Sequence, residues 1–236
     1  MRVKCAFFSN LGPRKTNQDR VLVPAEDDST FLIAAIADGI GGAPGGEQAA
    51  ALALRAAARA KSDPDELPKV FSIALRAFRK QALREPELGK MGTTLSIALL
   101  VDRMAYIAHV GDTRIYHLRG QGLNNLTEDQ TEVATLLRRG VLRKSQAARY
   151  PRRGVLLSAL SPSGDYEIFR SSARLEVGDR LLLLTDGVYT RVPRRNIANA
   201  SLASERVETF VAAVERLTID AEPSDNFTAL GLEILS

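Results

Sequence analysis

Leu95-Ser96-Ile97-Ala98-Leu99-Leu100-Val101-Asp102-Arg103-Met104-Ala105-Tyr106-Ile107-Ala108-His109-Val110-Gly111-Asp112 carries the reading that decides the fold. Apolar runs separated by one or two polar turn residues read as strands, here Thr93–Val101, Met104–Val110 and then Arg114–Arg119, with tight turns at Asp102-Arg103 and Gly111-Asp112. Upstream, Arg2–Phe8, Arg20–Val23 and Thr30–Ala37 have the same character, and downstream Val155–Leu157, Tyr166–Ser171, Arg180–Leu184 and Thr228–Leu235 follow. Glu47–Lys61 is an Ala/Leu-rich helix, after which Ser62-Asp63-Pro64-Asp65 supplies a break and a cap. Leu67–Arg84 spaces Val70, Phe71, Ala74, Leu75 and Phe78 at helical intervals. Glu132–Arg139 reads as a helix ended by Gly140, Ser145–Arg149 as a short one stopped by Pro151, and Ser204–Leu217 as an amphipathic helix. Two strand groups, each accompanied by two helices and without regular βαβ alternation, predict an α+β fold of stacked, mostly antiparallel sheets with helices outside.

The chain has 236 residues, 45% of them apolar and 25% charged. That apolar fraction is ordinary for a globular protein, and with no repeat or Gly/Ser linker we read residues 1–236 as one domain. The longest apolar runs are far too short to cross a bilayer, and the start of the chain leads straight into a strand rather than a signal sequence. A lone cysteine, Cys5, fits a reducing cytoplasm. The net charge of +4 is mild, and with few aromatics and no recognition motif it excludes a nucleic-acid binder. The basic excess is uneven. Seven basic residues lie between Arg138 and Arg153 with no acid among them, and Arg191, Arg194 and Arg195 form a second cluster. Each suits either a solvated face or a docking patch for an anionic partner.

Aspartates fall at strand ends. Phe31–Ala37 ends in Asp38-Gly39, Leu181–Thr185 in Asp186-Gly187, and Tyr106–Val110 in Gly111-Asp112; Asp225 and Asp19 stand just before two other strands. One Asp-Gly is a hairpin turn. Five aspartates at strand edges, in a chain with one cysteine and two histidines, favour a metal site instead. Converging carboxylates repel one another unless a cation lies between them, and oxygen-only ligands suit Mg²⁺ or Mn²⁺. The Gly-rich stretch Asp38–Glu47 lacks the Gly-Lys-Ser/Thr ending of a P-loop; close backbone approach at Gly39 and a tight entry into the next helix explain it better. Glu47 reads as a capping acid, His109 and His117 as satisfied core histidines, and Cys5 as an inert strand residue.

Several motifs follow in order: Arg14-Lys15-Thr16-Asn17-Gln18-Asp19, Ala37-Asp38-Gly39-Ile40-Gly41-Gly42 with Gly46-Glu47, Met91-Gly92-Thr93-Thr94, and His109-Val110-Gly111-Asp112-Thr113-Arg114. Then come Leu126-Thr127-Glu128-Asp129, Leu184-Thr185-Asp186-Gly187 and Ser224-Asp225-Asn226-Phe227-Thr228. Together they resemble the metal-dependent serine/threonine protein phosphatases of the PPM, or type 2C, family in its short bacterial form. The resemblance implies a four-layer α-β-β-α sandwich and hydrolysis of phosphoserine and phosphothreonine on proteins, opposing a Ser/Thr kinase. It implies two Mn²⁺ or Mg²⁺ ions, with Asp38 bridging them, Asp186 and Asp225 completing the first site, and the Gly39 carbonyl with Asp19 serving the second. Arg14 would grip the phosphate, and hydroxide from a metal-bridging water would attack phosphorus.

The sequence departs from the family pattern in places. Gln18 stands where many members have Glu, and Ile40 where some have a His proposed as general acid. Thr190 replaces a frequent Asp that helps hold a third ion, so with Asp112 remaining that third site is expected to be weak. Gln130 and Ser158 replace a common His and Arg. The segment at about 132–160 corresponds to the family's variable flap, whose charge, carried by residues such as Arg149, Arg152 and Arg153, is expected to steer acidic phosphoprotein segments. The competing reading is a pseudophosphatase-type binding module, which loss of Asp38, Asp186 or Asp225 would have favoured. A small-molecule metallophosphoesterase is the third. A monomer is the default.

Overall fold

The structure is a computed structural model that describes residues 1–25, 30–41 and 44–235; Gly42 of the second motif and the neighbouring Ala43 lie outside the described residues. The strands are β1 (Val3–Asn10), β2 (Asp19–Leu22), β3 (Phe31–Asp38), β4 (Leu95–Val101), β5 (Met104–Val110), β6 (Arg114–Arg119), β7 (Gly122–Asn125), β8 (Phe169–Arg174), β9 (Arg180–Leu184) and β10 (Phe227–Ile234). The helices are α1 (Gly46–Ala57), α2 (Leu67–Arg84), α3 (Glu132–Arg138), α4 (Lys144–Ala147), α5 (Asp186–Tyr189), α6 (Arg194–Ala203) and α7 (Val207–Asp220). One five-stranded sheet runs β1-β10-β9-β6-β7 and the other β2-β3-β4-β5-β8, with antiparallel pairing throughout both.

The continuous apolar character of the central strands has a simple cause: both of their faces are buried. On β3, Leu32, Ala34 and Ile36 point between the sheets, where they meet Leu100, Ile107, Leu183 and Leu230. Ala35 and Ala37, one residue out of phase, face α1 and α2 and pack with Ala49, Ala53, Phe71 and Phe78. On the other sheet Leu182 and Leu184 face α6 and α7, against Ile197, Phe210 and Val214. The order helix pair, sheet, sheet, helix pair is therefore the α-β-β-α sandwich that the sequence resemblance implied.

The β4–β5 hairpin turns on Asp102 and Arg103, both at positive φ (49° and 59°), with Val101 opposite Met104. Left-handed backbone at both central positions matches the twist of the flanking strands. The Asp63 carboxylate accepts from the Asp65 amide at 2.9 Å and caps the short 3-10 turn Pro64–Glu66 that leads into α2.

Some expectations shift. Val155–Leu157 is not a strand: Leu156 makes only an isolated bridge to Thr131, which is the N-cap of α3, so the partner chain turns into a helix and the pairing does not extend. The strand expected at Tyr166–Ser171 occupies Phe169–Arg174. The sequence reading missed β7, α5 and α6. β7 is a four-residue edge strand, α5 a single turn, and α6 an Arg/Asn-rich helix whose buried contact is Ile197, so each carries too little apolar periodicity to register.

Candidate active site

The stacking brings the aspartate-bearing ends of both sheets to one place. β3 ends at Asp38, β5 delivers Gly111-Asp112, β9 runs through Thr185 into Asp186, and Asp225-Asn226 leads into β10. A cleft of about 460 Å³ opens there, lined by Arg14, Asp38, Gly39, Asp112, Asp186 and Asp225 among others. Asp19 sits beneath it, opposite Asp38 in the β2–β3 register and 1% exposed. All seven residues singled out in the sequence thus converge, six on the cleft wall and one below.

Side-chain and backbone bonds fix this geometry. The Asp38 amide donates to Thr94 Oγ1 at 2.9 Å, and its carbonyl accepts from Thr93 Oγ1 at 2.8 Å and from the Thr94 amide at 2.9 Å. A Cβ on Gly39 would lie 2.4 Å from the backbone of Gly46, so the entry into α1 requires glycine there. Glu47 lies in the first turn of α1, where an acid suits the helix dipole as the capping reading expects, and it also pairs with Arg20. His109 is fully buried and satisfied. Its Nδ1 meets Ser96 Oγ at 2.7 Å, while Nε2 faces the carbonyls of Gly111 at 3.0 Å and Glu128 at 3.1 Å. Burial lowers its pKa to about 4, so the neutral ring pins the turn that presents Asp112. His117 instead joins Arg119 on the buried Asp179, well away from the cleft.

Below Asp112 lies a stack that the sequence did not disclose. Tyr189 Oη donates to Asp112 Oδ2 at 3.2 Å, and the Arg114 guanidinium covers the Tyr189 ring at 3.6 Å while forking onto Asp129 at 2.9 and 2.6 Å. Thr190 turns its hydroxyl back to the Asp186 carbonyl at 2.6 Å and is exposed. Gln130 links the Gly111 amide (2.8 Å) to the Glu167 carbonyl (2.8 Å), and Ser158 Oγ accepts from the Glu167 amide at 2.9 Å. Both residues brace the segment that closes the cleft at Gly154 and Leu156.

Asn226 is a further residue without a role in the sequence reading. Its Oδ1 accepts from the Gln18 amide at 2.9 Å, and its Nδ2 donates to the carbonyls of Leu11 (2.8 Å) and Thr16 (3.0 Å). One side chain thereby ties both ends of the loop that carries Arg14. Three bonds to main-chain groups 210 or so positions away leave no local pattern for sequence reading to detect.

The electrostatics are dominated by burial of like charges. Burial, then the neighbouring Asp19 and Asp186, holds Asp38 well above its ordinary pKa. Asp19 rises to about 7, mainly through burial, although hydrogen bonds from Thr185 and Thr228 oppose the rise. Asp112 reaches about 7 and Asp186 about 6, again chiefly by burial and then by adjacent aspartates. Arg14 Nη2 contacts Asp225 Oδ2 at 2.6 Å. Among the described residues, no three acidic, imidazole or thiol side chains form a ready-made ligand cluster. The donor set is nevertheless that of a hard divalent ion. It is all oxygen, mutually repulsive, and includes Asp19 Oδ1, a buried carboxylate oxygen with no hydrogen-bond partner. Mg²⁺-like ions are held by one or two carboxylates while keeping several waters, so sparse direct ligation fits.

A four-layer sandwich with buried carboxylates suited to divalent ions at its mouth, and an arginine on the rim, is the arrangement of a metal-dependent phosphatase domain. The comparisons agree. A family model described as protein phosphatase 2C matches residues 9–224. The chain is 31% identical over 234 residues to serine/threonine phosphatase stp of Listeria monocytogenes, covering 93% of this chain and 91% of that protein. It superposes on the crystal structure of the Mycobacterium tuberculosis serine/threonine phosphatase PstP/Ppp with a TM-score of 0.89, at 28% identity over 100% of both chains. A PstP catalytic domain in complex with 2 manganese ions gives a TM-score of 0.85 at 28% identity, over 99% of both chains. The chain belongs to the protein phosphatase 2C family.

Asn226→Ala should release the Arg14 loop. We expect kcat/KM for a phosphothreonine peptide to fall by roughly 10- to 100-fold, the cost of mispositioning by about an ångström. Steady-state kinetics will check this, and an unchanged kcat/KM would show that the loop holds itself.

Proposed function

We propose that the protein hydrolyses phosphoserine and phosphothreonine on protein substrates with two divalent ions, Mn²⁺ or Mg²⁺, and that it opposes a Ser/Thr kinase. The observation that carries this reading is the convergence of Asp38, Asp112, Asp186 and Asp225 on one cleft above the buried, half-unpartnered Asp19. Asp38, Asp186 and Asp225 would hold one ion, and Asp38, the Gly39 carbonyl and Asp19 the other, Asp19 acting from beneath. Bound there, the ions would supply an activated water and neutralise phosphoryl charge.

The chain's own groups have separable roles. Arg14, on the rim, would leave Asp225 to donate charge-assisted hydrogen bonds to phosphoryl oxygens. Ile40 on the cleft wall offers no proton. Asp112 would be the anchor of a weak third ion; with Thr190 bonded to its own helix, that ion lacks a second carboxylate, and Tyr189 steadies Asp112 in its place. Residues 1–236 would form one catalytic domain acting as a monomer. Among the described residues no helix is long and apolar enough to cross a membrane, and the lone Cys5 supports placing its action in the cytoplasm.

The test is phosphate release from a phosphothreonine peptide by chelator-treated protein, titrated with Mn²⁺ and separately with Mg²⁺. Metal-dependent release is expected. A folded protein that releases none with either ion would overturn the reading in favour of a phosphoprotein-binding module. The complete carboxylate set stands against that alternative.

A further inference from the structure

The two basic clusters are about 50 positions apart in the chain, yet the fold brings a member of each to one cleft. Arg138 from α3 and Arg194 from α6 line the same cleft of about 480 Å³, together with Arg114 and with the carboxylates Glu128 and Asp129, which pair with Arg138 and Arg114. At Arg194 it meets a second cleft of about 530 Å³, walled by Gln121 and Leu123 of the β7 region and by Arg195, Asn199 and Leu202 of α6. Arg114 also connects this groove to the active site, since it covers the Tyr189 ring whose hydroxyl reaches Asp112.

The acids that line this groove are both paired, and the remaining charge of the two clusters is largely uncompensated. Of the ten basic side chains in the two clusters, only Arg138 and Arg152 are ion-paired among the described residues, with Glu128 and Glu132. Glu132 also takes the Tyr150 hydroxyl, so Arg152 braces the flap and is not free to meet substrate. The open charge includes Arg149 and Arg153 on the flap and also Arg191 and Arg195 of the second cluster. Arg191 and Arg195 are exposed and stand in a helical region without one acidic residue from Arg191 to Ser204.

We propose that the groove between α3, β7 and α6 docks an acidic segment of the phosphoprotein substrate while its phosphoresidue occupies the adjoining catalytic cleft. The proposal rests on the phosphatase reading and adds a substrate class to it. Arginines and amide side chains along an edge strand suit a peptide bearing carboxylates. No aromatic side chain lines either cleft, which removes the stacking platform that single-stranded nucleic acids require.

The decisive variant is Arg191→Glu/Arg195→Glu. Neither side chain has an ion-pair partner to lose, and neither belongs to the catalytic cleft. With Mn²⁺ present, three substrates are compared: a phosphothreonine peptide followed by a glutamate run, the same peptide with glutamine in the run, and p-nitrophenyl phosphate. We expect kcat/KM for the glutamate peptide to fall about tenfold or more through KM, with the other two unchanged. Equal losses on all three, or no loss on any, overturn the proposal. If the wild type turns over none of the three, the phosphatase reading itself fails, and docking is then judged separately. Anisotropy of a labelled, unphosphorylated glutamate peptide should show binding that the double variant loses. Absence of wild-type binding, or preferential binding of oligo(U) at equal charge, overturns it.

Discussion

Asp38→Asn is expected to abolish phosphatase activity, with at least a ~1,000-fold loss in kcat/KM, or about 4 kcal/mol of transition-state stabilisation, while making the chelator-treated protein more heat-resistant. Both effects follow from the same position. Asp38 is the proposed shared ligand, so an amide there removes the charge that would hold two ions together. It is also the aspartate whose pKa is pushed up by burial and by four other carboxylates. In the absence of divalent ions that charge is a liability, and a neutral isostere relieves it. Function and stability oppose each other at such sites. Thermal unfolding in EDTA, beside peptide kinetics in Mn²⁺, will check both halves. A variant that is inactive and also less stable in EDTA would show that Asp38 serves packing instead of charge.

Stability without divalent ions should fall as pH rises from about 4 to about 7. A carboxyl whose native pKa is raised binds its proton more tightly when folded, so the native state is favoured at low pH and loses that advantage as the pH passes the native value. Asp19 and Asp112 at about 7, and Asp186 at about 6, against an ordinary 3.8, set the window. At ~1.4 kcal/mol for each tenfold difference in proton affinity, the loss is roughly 3–4 kcal/mol at each of these groups taken singly. Added Mn²⁺ should flatten the profile by competing for the ionised carboxylates. Asp179 works in the opposite sense at the acid end. Burial alone would raise its pKa, but Arg119, the Glu176 amide and His117 outweigh burial and hold it below 3.8. Its contribution is present above 3.8 and is lost as pH falls through the lower native value. Urea unfolding from pH 3 to pH 8, with and without Mn²⁺, reads both arms. Greater stability at pH 7.5 than at pH 5 in chelator would contradict the first.

Much of this was legible because it is local. Asp102-Arg103 between two apolar runs forces a hairpin, and Asp-Gly at the end of an apolar strand marks where a buried strand meets solvent. Both are short-range consequences of strand geometry, and the ordered motifs carried the family. The structure changes the reading where contacts are long-range or periodicity is weak. Asn226 sits inside a motif, but nothing in Ser224–Thr228 shows that its amide spans the ends of the Arg14 loop. The tight entry into the helix read at Gly39 agrees with the structure, which shows that the tightness comes from the backbone of Gly46, 2.4 Å from where a Cβ would sit. The strand expected at Val155–Leu157 fails because a strand exists only where another edge is available to pair with it.

The amino-acid sequence by itself determined the order of strands and helices, the class of stacked antiparallel sheets with helices outside and the aspartates at strand ends, since apolar period and strand-end chemistry are written residue by residue; the four-layer detail came from the family resemblance. Tertiary structure alone decided that Asp19 lies below the cleft with one oxygen unpartnered, that Tyr189 and Arg114 shore up Asp112, and that two distant arginine clusters each bring a member to one groove. Each depends on which strand ends become neighbours when the sheets stack. Burial and electrostatics act on distances in space, and the order of residues along the chain does not contain them.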